Sequence, residues 1–146
     1  MPPSQVVVVA AAGNDGAEAC LTAPANVPLV ITVGAYNDRQ DVDNAFADFS
    51  NHGRCVDLWA PGTGINAALA GSVQEDVKDG TSMSAPQVAG AIALLRGLFR
   101  WWPAIRVANE LLAASVRRSI LDWGRALDVG RCVCPRSACL PHAFVC

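Results

Sequence analysis

The segment Gly80-Thr-Ser-Met-Ser-Ala-Pro86 sets Ser82 between a glycine and a proline of the kind tolerated in a first helical turn. A serine at such a turn has an exposed hydroxyl, and the backbone N–H groups around it point outward, where the helix dipole favours developing negative charge. That is a nucleophile's setting, with an ordinary N-cap serine as the plainer alternative. A second segment, Ala11-Ala-Gly-Asn14, ends in a side-chain amide just before Asp15-Gly16, where asparagine is also common turn chemistry. Of the two histidines, His52 lies in Asn51-His-Gly53 and reads as a surface turn residue, and His142 has no identifiable partner near the chain end.

The elements that would carry these groups follow from apolar patterning. Val6-Val-Val-Val9 runs into small residues and Gly13-Asn-Asp-Gly16, as expected of a parallel strand covered on both faces and ending in a turn. Val30-Ile-Thr-Val-Gly34 reads as a second buried strand, and Cys55-Val-Asp-Leu-Trp-Ala60, stopped by Pro61-Gly62, as a third. Apolar residues at 88, 89, 91, 92, 94, 95, 98 and 99 predict a buried helix beginning just after Ser82. A second helix is expected from about Ala104 to Ser119, with Ile105, Ala108, Leu111, Leu112 and Ser115-Val116 at helical spacing. The order gives an α/β class: part of a doubly wound parallel sheet with flanking helices.

The 146 residues suit one compact domain, and 52% hydrophobic against 16% charged residues excludes wholesale disorder. A net charge of −2 with no basic cluster gives no footprint for nucleic acid. The longest apolar run, Val6 to Ala12, falls far short of the ~20 residues of a membrane span, and Met-Pro-Pro-Ser-Gln5 before it lacks the basic start of a signal peptide. Cysteines stand at 20, 55, 132, 134, 139 and 146, so two lie in the globular stretch and four crowd the end. The terminal spacing fits neither C-x₂-C pair of a zinc module, and no periodic apolar face is present beyond about Trp123. Residues 1–122 are therefore read as the domain, and 123–146 as an irregular, Cys-rich tail.

Together the Asn14 and Ser82 segments resemble the subtilisin-like serine proteases (subtilases). Ala23-Pro-Ala25, Ile31-Thr-Val-Gly-Ala35, Phe49-Ser-Asn-His-Gly53 and Leu58-Trp-Ala-Pro-Gly62 agree with that family in order and spacing, closest to its proteinase K branch. The resemblance covers residues 6 to about 99. The alternative G-x-S-x-G elbow of α/β-hydrolases fails, because Ser84 stands where its second glycine belongs.

The resemblance implies a serine endopeptidase acting on polypeptides, with Ser82 as nucleophile and the Asn14 amide as oxyanion donor beside the Ser82 N–H. Ala11, Ala12 and Gly13 would line the substrate pocket. Cys20 and Cys55 match a pair that is bridged in the proteinase K branch, which points to a secreted or extracellular protein. The same branch binds structural calcium at positions matching Pro28, Val30 and Asp57, an oxygen-only set that suits Ca²⁺. Gln87 departs from the family's usual histidine after the proline. In subtilases the triad Asp and His precede both motifs, yet the residues before Asn14 contain neither. The chain thus reads as the C-terminal half of a catalytic domain whose N-terminal half is a missing partner. The competing reading is an inactive fragment or pseudoprotease that serves at most as a binding module.

Overall fold

The computed structural model describes residues 6–37 and 46–115. Three strands, β1 (Val8–Ala11), β2 (Val30–Tyr36) and β3 (Leu58–Pro61), form a parallel sheet in the order β1-β2-β3. Val8 pairs with Val30 and Ala11 with Val33, and on the other side Val33 pairs with Leu58 and Tyr36 with Pro61. Two further strands, β4 (Ile65–Ala68) and β5 (Glu75–Lys78), make a separate antiparallel hairpin. The helices are α1 (Thr81–Leu98) and α2 (Ala104–Ala114). Among the described residues, no helix is long and apolar enough to cross a membrane.

The α/β class with a parallel sheet and flanking helices is as expected, and several elements differ in detail: β3 starts at Leu58 and includes Pro61, where a strand over residues 55–60 was expected. The middle strand β2 is buried along its centre, as a β-branched run without alternation requires. By contrast β1 starts at Val8, and that residue is 50% exposed because β1 is an edge strand. The first helix begins one residue before Ser82, at Thr81, rather than just after it. Its Val88, Ala91, Ile92 and Leu95 are buried, whereas Ala89, Leu94 and Leu98 are exposed, since among the described residues only one side of α1 has packing partners. In α2 the buried stripe is Ala104, Val107 and Leu111, and Ile105, expected inside, is exposed. The helix also ends at Ala114, short of Ser119.

The main core joins one face of the sheet to both helices. Ile31, Val33, Leu58 and Ala60 meet Val88, Ala91, Ile92 and Leu95 of α1, with Val107 and Leu111 of α2 closing the layer. Leu95 is fully buried at that junction, and its truncation to alanine would cost about 2–5 kcal/mol. On the opposite face, the connection from β1 to β2 folds back as a short 3₁₀ turn, Ala19–Leu21, and buries Ala12, Ala19 and Ala25 against Cys55 and Val56. That connection carries Asn14, and α1 carries Ser82, so the sheet holds both beyond the C-terminal ends of its strands.

Candidate active site

Ser82 is the second residue of α1 and is exposed. Helix starts leave their first N–H groups without intrahelical partners. Here the Thr81 N–H donates to Asn14 Oδ1 at 2.9 Å and the Met83 N–H to the Gly80 carbonyl at 2.9 Å. The Ser82 N–H between them has no partner among the described residues. Gly80 takes φ +147°, a conformation that side chains rarely adopt, and it bends the chain sharply into the helix. A Cβ built on Gly80 would lie 3.6 Å from Asn14 Nδ2 and 3.7 Å from the Ser82 nitrogen. Both donors therefore border one small space that only a glycine leaves open.

Asn14 is fixed through its oxygen. Oδ1 also accepts the Thr81 hydroxyl at 2.9 Å, and Thr81 Oγ1 in turn accepts the Gly13 N–H at 3.2 Å. With the amide oxygen committed, Nδ2 faces outward and has no partner among the described residues. Thr81 is fully buried and Asn14 is exposed, so the network is anchored in the interior at its Thr81 end.

The start of α1 is held against the end of β3. The Gly80 N–H donates to the Gly62 carbonyl at 2.8 Å, and the buried Ser84 hydroxyl reaches the Ala60 and Pro61 carbonyls at 3.1 and 3.2 Å. Gln87, where the family pattern has histidine, donates through Nε2 to the Pro61 carbonyl at 2.7 Å and the Met83 carbonyl at 2.9 Å. One amide thereby does locally what a single imidazole N–H could do only in part.

The segment expected to line the substrate pocket runs from the end of β1. Ala11 is partly buried, Ala12 is fully buried with its N–H on the Val33 carbonyl at 2.9 Å, and Gly13 is partly buried beside Thr81. Asn51, to which the sequence assigned no role, is fully buried and bonds to residues on both sides of Asn14. A hint lies in the sequence, since Asn51 sits in a turn-like segment whose polar residues could as well face inward. His52 is exposed and its N–H bonds to the Ala17 carbonyl, so its turn is tied to the Ala17–Glu18 segment. No histidine or carboxylate bonds to Ser82 among the described residues. His142 and the four terminal cysteines lie outside them.

The expected calcium residues sit at one end of β2. Pro28 and Val30 flank Leu29, whose φ of +71° turns the chain into the strand. Asp57 pairs twice with Thr32, accepting its N–H at Oδ2 (2.8 Å) and donating its own N–H to the Thr32 carbonyl (2.9 Å). Desolvation by packing raises the Asp57 pKa, and the Thr32 N–H opposes it more weakly. The other carboxylate oxygen has no partner among the described residues. A carboxylate and backbone carbonyls are the oxygen donors Ca²⁺ takes, while among the described residues no group of three or more His, Cys, Asp or Glu could hold a metal ion.

Cys20 and Cys55 form a disulfide with their Cα atoms 5.2 Å apart. It staples the 3₁₀ turn to the approach of β3.

Comparison with known proteins shows the family and the fold. Residues 3–125 match the Subtilase family, and the chain belongs to it. The chain is 42% identical over 112 residues to subtilisin-like proteinase Mp1 of Magnaporthiopsis poae, which covers 75% of this chain and 27% of that protein. It is 41% identical over 124 residues to an extracellular serine proteinase of Thermus sp. strain Rt41A, covering 82% and 28%. Among solved structures, the Prenylagaramide maturation protease PagA superposes with a TM-score of 0.74 at 31% identity, covering 86% of this chain and 50% of that one. A cold-adapted subtilisin-like serine proteinase does so with a TM-score of 0.68 at 35% identity, covering 78% and 40%. The chain thus spans about a quarter of the length of these curated relatives, with a partial subtilisin fold.

Proposed function

We propose that this chain supplies the nucleophile and oxyanion half of a serine endopeptidase. The observation that carries the reading is the convergence of Asn14 Nδ2 and the Ser82 N–H on the space beside Gly80, next to an exposed Ser82 hydroxyl. Ser82 Oγ attacks the scissile carbonyl carbon, and its proton passes to a histidine base oriented by an aspartate. Both of those residues come from a polypeptide segment outside these 146 residues. Asn14 Nδ2 and the Ser82 N–H hold the oxygen of the tetrahedral intermediate as it becomes negative. Collapse expels the amine, which takes the proton, and water then releases the acyl group from Ser82 by the reverse sequence. Ala11, Ala12 and Gly13 line the site for an extended substrate.

Residues 1–122 are assigned to the C-terminal half of the catalytic domain, supported by the family match over 3–125, with 123–146 beyond it and outside the described residues. The disulfide and the extracellular relative favour the secretory pathway or the exterior. Pro28, Val30 and Asp57 would hold a structural calcium ion by their oxygens.

The test is a comparison of the purified chain with the same chain joined to a segment carrying the aspartate and histidine. Alone, it should neither cleave a chromogenic peptide nor react rapidly with an organophosphonate, because an unactivated serine is a weak nucleophile. Completed, it should do both, with the label on Ser82. Rapid labelling of the isolated chain, or none in the completed one, would refute the assignment.

A further inference from the structure

We infer that Asn51 is a positioning residue for the oxyanion donor: its buried amide sets the backbone on both sides of Asn14 and so aims the Asn14 side chain. The inference rests on the proposed role of Asn14 and adds a residue that the reaction itself does not touch.

Asn51 is 37 positions from Asn14 in sequence and fully buried. Its backbone N–H donates to the Gly13 carbonyl at 2.9 Å, and its Nδ2 donates to the Ala12 carbonyl at 3.0 Å. Its Oδ1 accepts the Asp15 N–H at 2.9 Å and the Ala17 N–H at 3.0 Å. The residue therefore grips positions 12, 13, 15 and 17 and leaves Asn14 as the unheld link, whose side chain is directed by its neighbours toward Thr81 and Gly80. Asp15, Gly16 and Ala17 are exposed; the Gly16 N–H is tied to the Phe49 carbonyl at 2.8 Å and the Ala17 carbonyl to the His52 N–H at 2.9 Å, while the Asp15 and Ala17 amides are held by Asn51.

Two further observations show how closely the loop is fitted to this amide. Gly13 has φ +105°, and a Cβ there would overlap Asn51 Nδ2, so glycine is required both by backbone conformation and by the space the amide fills. The amide also uses both ends: its oxygen takes two donors and its nitrogen gives one. Neither aspartate, which cannot donate when ionised, nor leucine, which can do neither, could substitute for it.

The consequence is mechanistic. An oxyanion donor acts through pre-organisation, since a misplacement of about 1 Å can cost on the order of 10²-fold in rate. Asn14 has one contact group at its oxygen, Thr81, and its backbone is set by Asn51; the first fixes the amide plane and the second fixes where the Cα stands.

Amide hydrogen exchange and side-chain NOEs on the 146-residue chain test this. In the wild type, the Asp15 and Ala17 amides should exchange on the order of 100-fold slower than an unstructured loop despite their exposed position, and Asn14 Nδ2 protons should show an NOE to Gly80 Hα. In Asn51→Ala the two amides should lose their protection, and the Asn14 NOE should vanish, while Val33 in β2 stays protected. Asn51→Asp keeps an acceptor and loses the donor to Ala12, so it should restore protection at Asp15 and Ala17 in part. A purely structural role would instead lower protection everywhere together. Loop-rate exchange in the wild type, which needs no variant to fold, would overturn the inference. So would an unchanged Asn14 NOE in a folded Asn51 variant. In a completed enzyme, Asn51→Ala should lower kcat by about 10-fold or more with KM little changed. If the completed enzyme fails to cleave peptides at all, the proposed function falls, and the exchange and NOE results still decide the role of Asn51.

Discussion

Asn14 and Thr81 lie 67 positions apart, yet one amide oxygen of Asn14 accepts both the backbone N–H and the hydroxyl of Thr81, each at 2.9 Å. A single acceptor thus caps the helix that carries Ser82 and orients the Asn14 amide. Helix stability and the oxyanion role proposed for Asn14 share one group.

That sharing can be separated by mutation. Asn14→Asp retains an oxygen for Thr81 but replaces the Nδ2 donor, whereas Asn14→Ala removes both. In a completed enzyme each should lower kcat by about 10²–10³ with KM nearly constant, a range that comes from a subtilisin's own oxyanion asparagine and is a family value. Only Asn14→Ala should in addition lower thermal stability, by about 1 kcal/mol for a lost cap. Steady-state kinetics beside melting curves distinguish the two effects.

The raised pKa of Asp57 fixes the sign of a pH effect. A carboxylate that holds its proton more tightly folded than unfolded makes the folded state lose stability as pH rises from the ordinary value of 3.8 through the raised folded value. Without calcium, wild-type stability minus that of Asp57→Asn should therefore fall across that window and level off above it. Calcium added near neutral pH should raise the wild-type melting temperature and leave Asp57→Asn unmoved. A difference that grows with pH, or equal calcium responses, would count against the site.

Loss of the Cys20–Cys55 bridge, whose ends are 35 positions apart, should cost about 4 kcal/mol on the chain-entropy account. For a domain whose total stability is about 5–15 kcal/mol that is a large share. Urea unfolding of the paired serine variant is the measurement, and a loss below about 1 kcal/mol would place the bridge outside the cooperative unit.

Gln87→Ala should be mild by comparison. The Pro61 carbonyl keeps the Ser84 hydroxyl at 3.2 Å, and the Met83 carbonyl remains inside the helical ladder, so no buried acceptor is orphaned. The expected loss is about 1 kcal/mol, the net worth of an ordinary hydrogen bond. Gln87→His, which restores the usual family residue, should fall between alanine and wild type in the same unfolding assay.

Much of this was legible before any coordinates. The unbroken β-branched run at residues 30–33 marks a strand covered on both sides, and Gly80 with Pro86 brackets a helix start, so β2 and α1 were readable from local chemistry alone. The Asn14 and Ser82 segments stood out through their joint resemblance to subtilase motifs, and the roles proposed for the two residues come from that resemblance. The hairpin of Ile65–Ala68 and Glu75–Lys78 was not, for its strands are short, mostly exposed and without marked apolar alternation. Asn51 was hidden for another reason: an asparagine between serine and histidine before a glycine reads as surface turn chemistry, and only tertiary pairing reveals that its amide is turned inward. The exposed half of α1 shows the same limit, since an apolar residue such as Leu94 declares what it prefers but not what stands opposite it.

The position of β1 at the end of the sheet has a colloidal consequence. Among the described residues its outer side carries unpaired backbone donors and acceptors, with Val6 and Val8 at 72% and 50% exposure beside them. A bare strand edge accepts any extended chain that reaches it, including another copy of itself. In concentrated solution the 146-residue chain should therefore self-associate through this edge. A partner segment of the kind proposed above would compete with a second copy for the same backbone groups, so order of encounter would count as much as affinity.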